Sequence, residues 1–195
     1  MGRKSGAAER RDQIVTAFCD CVVELGFDKA SMGEVAERLS MDRSSMHYYF
    51  RTREELVVEA TQRITRFYAD RIEQAVATFV PGDRARQLVE FLFGPTFHQP
   101  RLSALMDEIS VLGNRMPFFQ ELTAGFYGRI ENLIVAVIDE SYPGIPAKKR
   151  RFAAYALTQL SEGTTVFMSL GFDRTRRQAA RLAALSLLNQ LETNA

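Results

Sequence analysis

Cysteine and histidine are scarce in this 195-residue chain, two of each, and their scarcity removes several kinds of chemistry at once. Cys19 and Cys21 stand at an i, i+2 spacing, so on a helix they point apart and form no disulfide framework of the secreted kind. His47 and His98 have no cysteine or carboxylate beside them at metal or triad spacing. No metal cage, activated nucleophile or phosphate-cradling loop is visible, and the chain reads as a non-enzyme with neither cofactor nor metal. The adjacent acids Asp107-Glu108 and Glu54-Glu55 diverge on a helix and add no acid–base pair. Excess charge is missing too: the formal net charge is +1. That excludes a global basic field, so any nucleic-acid binding must come from a local patch. Apolar runs of the roughly 18 residues needed for a membrane span are absent, and the stretch from Met1 to Gly6 has no signal-peptide core, which predicts a cytoplasmic location.

What the chain does have is apolar residues at helical spacing almost throughout, and this predicts an all-α fold. The stripe of Ile14, Phe18, Cys21, Val22 and Leu25 stops at Gly26, a natural helix end. Three starts follow in quick succession. Ser31 with Glu34 forms a capping box, Asp42 can accept from the amide near Ser45, and Thr52 with Glu55 forms a second box. Longer helices come next, from Leu56 toward Pro81-Gly82, then from about Asp83 to Phe93 and Pro100 to Leu112. Pro117 opens another that runs to Tyr142, and the last two span about Pro146 to Leu170 and Asp173 to Leu191, parted at Gly171. The expected organisation is a three-helix head, residues 1–52, and a six-helix body, residues 53–195.

Between Val35 and Phe50 the two short helices and their tight joint read as a helix-turn-helix, which points to DNA. Val35, Ala36, Leu39, Met41, Met46 and Phe50 form its inward scaffold. Arg43, Ser44, Ser45, His47 and Tyr48 are left outward, all able to hydrogen-bond. Charge agrees: Arg3, Lys4, Arg10 and Arg11 make a basic arm, and Arg43, Arg51 and Arg53 stand in a stretch without acids.

These residues resemble the TetR family of bacterial transcriptional regulators. The resemblance rests on Arg10-Arg11, the Leu25-Gly26-Phe27 helix end, Val35-Ala36, Tyr48-Tyr49-Phe50 and Thr52-Arg53-Glu54-Glu55-Leu56. It implies that Ser31 and Met32 approach the DNA backbone, that Arg43, Ser44 and Ser45 face the groove, and that Tyr48 and Tyr49 touch phosphates or bases. It also implies that Arg53, where the family usually has lysine, clamps a phosphate. Lys4 joins this set as a contact from the arm. Three positions depart from the pattern: Ser40 for the turn glycine, His47 for a tyrosine, and Ser44-Ser45 for Gly-Thr. Ser40 should cost about 1 kcal/mol if the turn needs a positive φ.

Two tasks fall to the body. Gly163, Ala180 and Ala184 allow close approach while Phe167, Leu170, Leu185 and Leu188 supply area, which predicts a homodimer through a four-helix interface. Aromatic and apolar residues of the middle helices, Phe91, Phe97, Met106, Phe118, Phe126 and Tyr127, are candidates to line a pocket. Four polar residues beside apolar faces join them: His98, Glu108, Arg129 and Gln159, the last expected to be buried. The resemblance implies that the middle helices hold a small, largely apolar effector. The expected function is therefore a dimeric repressor released by that effector from palindromic double-stranded DNA. An architectural DNA-binding protein on the same scaffold, without an effector, is the alternative.

Overall fold

Side-chain caps set where the helices start. In the computed structural model Ser31 Oγ accepts from the Glu34 amide at 3.1 Å, Asp42 Oδ1 from Ser45 at 2.8 Å and Thr52 Oγ1 from Glu55 at 3.2 Å. All three caps are those expected from the sequence. A fourth, Asp173 Oδ1, accepts from the Arg176 amide at 3.2 Å. The structure describes residues 2–97, 100–113 and 116–193, without the side chains of 2–5 and 100–102. His98 and the side chain of Lys4 therefore lie outside the described residues.

Among the described residues there are nine helices and no strand, as the all-α expectation requires. The head comprises α1 (Gly2–Leu25), α2 (Met32–Arg38) and α3 (Arg43–Tyr49), and α4 (Arg53–Thr78) leads out of it. The body continues with α5 (Arg84–Leu92), α6 (Pro100–Gly113), α7 (Pro117–Ser141), α8 (Ala147–Ser169) and α9 (Arg174–Glu192).

The joint between α2 and α3 is a Schellman turn. Met41 N–H donates to Ala36 at 2.8 Å and Ser40 N–H to Glu37 at 3.0 Å, which satisfies the last carbonyls of α2. The turn needs a left-handed residue, and Ser40 supplies it with φ 51°, the one positive φ outside glycine among the described residues. A Cβ there crowds the backbone. Ser40→Gly is accordingly expected to stabilise the protein by about 1 kcal/mol, read as a higher urea midpoint with unchanged slope. A midpoint that stays or falls would show that the seryl side chain compensates its own strain.

Packing explains how head and body communicate. Ile14, Phe18 and Val22 of α1, Val35 and Ala36 of α2, Met46 of α3, Phe50 and the α4 residues Leu56, Val57 and Ala60 are all buried in the head. The same α4 then buries Tyr68, Ala69 and Ile72 in the body. In the body α7 packs on α6 and α8, α8 on α9, and α5 on α7 and α9. α1 also touches α6 directly. Head and body thus share one continuous apolar core, joined by α4 and by the α1–α6 contact.

Candidate nucleic-acid interface and ligand cavity

The outward surface of α3 is short and dense in donors. Tyr48 is 78% exposed and meets Tyr49 edge to face, ring centroids 5.1 Å apart. Of the aromatic run, Phe50 is fully buried, Tyr49 half-buried and Tyr48 exposed, so one ring anchors the helix and another is free to touch a partner. Arg43, Ser44 and His47 are exposed and Ser45 is half-buried. Asp42 organises the start of this surface. Its carboxylate accepts from the hydroxyls of Ser44 at 2.6 Å and Ser45 at 2.8 Å, besides the Ser45 amide. The Ser44 hydroxyl leads these bonds in holding the Asp42 carboxyl down at a pKa of about 2. Both serine hydroxyls are spent as donors on Asp42 and offer lone pairs outward. His47 Nδ1 lies 3.2 Å from the Arg51 carbonyl, a spacing that suits a donated bond and leaves Nε2 free.

Ser31 and Arg43 come together over Gly33. A Cβ placed on Gly33 would meet Arg43 Nη2 at 3.4 Å and Ser31 Oγ at 3.6 Å, so the starts of α2 and α3 form one surface. Met32 is half-buried against the core.

Arg53, expected to clamp a phosphate, and Arg11 of the basic arm are both engaged within the protein. Arg53 Nε donates to the Ala30 carbonyl at 2.9 Å and its Nη2 to that of Phe27. Its guanidinium also stacks 4.2 Å from the Phe27 ring centroid. It clasps the α1–α2 loop to α4, a half-buried position that competes with the expected phosphate contact. Arg11 pairs with Glu59 and lies 4.1 Å over the Phe50 ring. Glu59 leads in raising its pKa. The basic arm is thus smaller than the charge count implies.

In the body, a cavity of about 40 Å³ lies where α4, α6, α7 and α8 converge. Tyr68 and Ile72 of α4, Ser103, Met106 and Asp107 of α6, Phe126 and Tyr127 of α7, and Thr158, Ser161, Glu162 and Thr165 of α8 line it, with Phe97 beside them. The Tyr127 hydroxyl donates to Glu162 Oε2 at 3.2 Å. Burial pushes the Glu162 carboxyl up, the nearby Asp107 adding to the push and the Tyr127 hydrogen bond opposing it. Burial raises Asp107 and Tyr68 likewise, and Tyr127 through burial and the Glu162 charge.

Residues 14–60 match the family of bacterial regulatory proteins, tetR family. Over these residues the head is similar to the TetR family. This match runs past residue 52 into α4, whose first turns complete the head's core. Solved structures share the fold at low identity. A TetR transcription regulator from Haloarcula marismortui ATCC 43049 is 18% identical with a TM-score of 0.80, covering 94% of this chain and 98% of that one. A protein from Saccharomonospora viridis solved in complex with choline is 18% identical, TM-score 0.78, covering 93% and 96%. The ketosteroid transcriptional regulator KstR2 of Mycobacterium tuberculosis is 15% identical, TM-score 0.62, covering 93% and 94%. No curated protein sequence matches the chain.

Behind the head, the body sorts the expected pocket residues. Phe97, Met106, Phe126 and Tyr127 line the cavity, and Phe91 stands behind Phe97, centroids 5.3 Å apart. Phe118 is 47% exposed instead, because its neighbour Phe119 takes the inward place. Arg129 is exposed and pairs across α4 with Glu73 at 2.7 Å and Asp70 at 3.3 Å. Glu108 lies outside the lining, since Asp107 is the carboxylate that α6 turns inward. Gln159, expected to be buried, is exposed in a groove between α8 and α9. α8 buries Ala153, Ala154, Leu157, Thr158 and Ser161 on its other side. The polar lining of Tyr68, Asp107 and Glu162 was missed, although Thr158, Ser161, Glu162 and Thr165 recur at helical spacing on one face and carried the signal.

The expected interface residues divide the same way. Phe167 and Leu170 are exposed and Gly163, Ala180 and Leu185 half-buried, but Ala184 and Leu188 are fully buried in the chain's own core. α9 has an inward apolar seam besides its outward one, and those two residues belong to the inner seam.

Proposed function

We propose that this protein is a homodimeric, DNA-binding transcriptional repressor that leaves a palindromic operator when a small molecule occupies the body cavity. Residues 1–52 carry the DNA contacts, and residues 53–195 hold the effector and the second copy. One observation carries this reading: a TetR-family head presents Arg43, Ser44, His47 and Tyr48 on the open side of α3 while Met46 locks its other side into the core. Lys4, Ser31, Met32, Ser45 and Tyr49 are proposed to flank that contact. Two such helices in a dimer would meet successive major grooves about 34 Å apart. The outward face of α8 and α9 supports the dimer. Phe152, Tyr155, Phe167, Leu170 and Leu182 are all more than half exposed there, apolar area that a second copy would cover.

The cavity favours effector release over a purely architectural role. Its walls include α4, which carries the head, and α6, which touches α1. At about 40 Å³ it holds little more than a water at rest, so an organic guest must displace a wall. Displacing α6 or α4 moves the elements that set the spacing of the recognition helices. The choline complex of a protein with this fold supports a ligand-binding body.

Selection of bound sequences from random DNA tests the reading, with an inverted repeat as the expected product. On the selected site, Arg43→Ala and Tyr48→Ala should each weaken binding about tenfold at fixed salt. Thermal stability should hold, because both side chains are exposed. A selection that enriches nothing, or variants that bind like the parent, would leave the head without a reading function.

A further inference from the structure

The chemistry of the cavity lining specifies what kind of effector it suits, an inference that rests on the cavity being the effector site. Two carboxylates, Asp107 from α6 and Glu162 from α8, line it, and no lysine, arginine or histidine does among the described residues. Glu162 is held by the Tyr127 hydroxyl alone, and Asp107 has neither a hydrogen bond nor an ion pair among the described residues. Arg71, near Tyr68, is not part of the lining: its guanidinium donates to the Thr96 carbonyl and its Nε is buried without a partner among the described residues. Ser161 is 5% exposed and lines the cavity with no hydrogen-bond partner among the described residues. Its hydroxyl is therefore open to a polar group in the cavity.

Each alternative class fails on this lining. An anion would meet two carboxylates with no counter-charge. A neutral guest without donors would strip water from both acids and return nothing, and one with a hydroxyl would return a hydrogen bond but no counter-charge. A metal ion would want several hard donors, yet no group of three His, Cys, Asp or Glu side chains stands together among the described residues. The apolar walls combine the rings of Tyr68, Phe97, Phe126 and Tyr127 with Ile72, Leu92, Met106, Ile130 and Ile134, and aromatic rings attract organic cations. We propose that the cavity takes an organic cation, an ammonium centre on a small apolar body, with Glu162 and Asp107 as counter-charges and Ser161 as an added polar contact. The expectation of a largely apolar effector becomes one of an apolar body with a charged centre.

Calorimetric titration of the intact protein with methylammonium through tetramethylammonium, beside tert-butanol and acetate, tests this. At least one ammonium ion should bind, with tert-butanol and acetate weaker by about tenfold or more. Glu162→Gln should raise the dissociation constant of that ion about tenfold while the unfolding temperature holds or rises, because the amide oxygen still accepts from Tyr127 and a buried charge is gone. Asp107→Asn, the second variant, should weaken it in the same direction. Binding of tert-butanol as tight as that of the ammonium ions overturns the proposal. So does an absence of ammonium binding across the series, or unchanged affinity in folded Glu162→Gln. The repressor reading fails separately: an ammonium ion that binds without altering DNA affinity leaves the cation assignment standing and removes release by effector, whereas release by neutral compounds alone does the reverse.

Discussion

Phe167→Glu combined with Leu170→Glu is expected to leave a folded monomer whose operator affinity is down by about two orders of magnitude or more. Phe167 is 53% and Leu170 68% exposed in the single chain, so neither change opens the core and the monomer keeps its helices. In the proposed dimer both side chains, at the C-terminal end of α8, belong to the apolar seam, and a pair of glutamates from each copy would be buried there. Burying unpaired like charges there costs several kcal/mol, enough to exceed the surplus that holds a modest interface together. The loss on DNA follows from geometry. A monomer sets one seven-residue recognition helix on DNA, and its affinity lacks the second half-site. Sedimentation of parent and variant gives the mass, and fluorescence anisotropy on the selected site gives the affinity. A variant that still sediments as a dimer would move the interface elsewhere on the surface.

That prediction draws on a face of α8 and α9 that periodicity revealed only in part. An apolar stripe says that something covers a helix; it does not say whether the cover is the same chain or another. α8 is apolar on two sides, one closed by its own core through Ala154 and Leu157 and one open at Phe152 and Tyr155. Gln159 was placed inside because it has apolar neighbours, but Tyr155 among them is exposed and Ala156, Leu160 and Gly163 are only half-buried, so that side of α8 is not closed by the chain's own core. The same ambiguity moved Ala184 and Leu188 from the interface to the core. In the head each decision is local. A cap and its amide are three residues apart, so Ser31, Asp42 and Thr52 could be read directly from spacing. Ser40 follows the same rule, its strain foreseen from the turn and present as φ 51°. Arginine roles were less legible because a cation suits a phosphate and a carbonyl equally well. Arg53 finds the Phe27 and Ala30 carbonyls more than twenty residues earlier in sequence, a proximity that exists only after folding. The cavity is harder still. It gathers side chains from four helices and pairs Tyr127 with Glu162 across 35 positions, and single-helix patterns carry no record of such meetings.

Phe50→Ala is expected to cost about 3–5 kcal/mol and to abolish specific DNA binding while the far end of the body stays ordered. Phe50 is fully buried and is the residue at which α3 ends, its amide donating to Met46 at 3.0 Å. It is also the platform under Arg11, whose guanidinium lies 4.1 Å from the ring centroid. Arg11 in turn reaches the Tyr49 carbonyl and Glu59 of α4, so the ring holds together α1, α3 and α4. Truncation leaves a cavity among the helices and deprives the arginine of a contact worth about 1 kcal/mol. The head has little else to absorb the loss, since α2 and α3 are seven residues each and hold their shape through packing. Against a typical domain stability of about 5–15 kcal/mol, a loss of that size opens the weakest unit first. Amide exchange should therefore quicken across α2 and α3, with α7 and α8 protected as before, and anisotropy should show no preference for the selected site. Phe50→Leu, which keeps most of the buried volume, should recover much of both properties. If Phe50→Ala left α3 protected and DNA binding intact, the burial of this ring and the arginine above it would not be what sets the recognition helix in place.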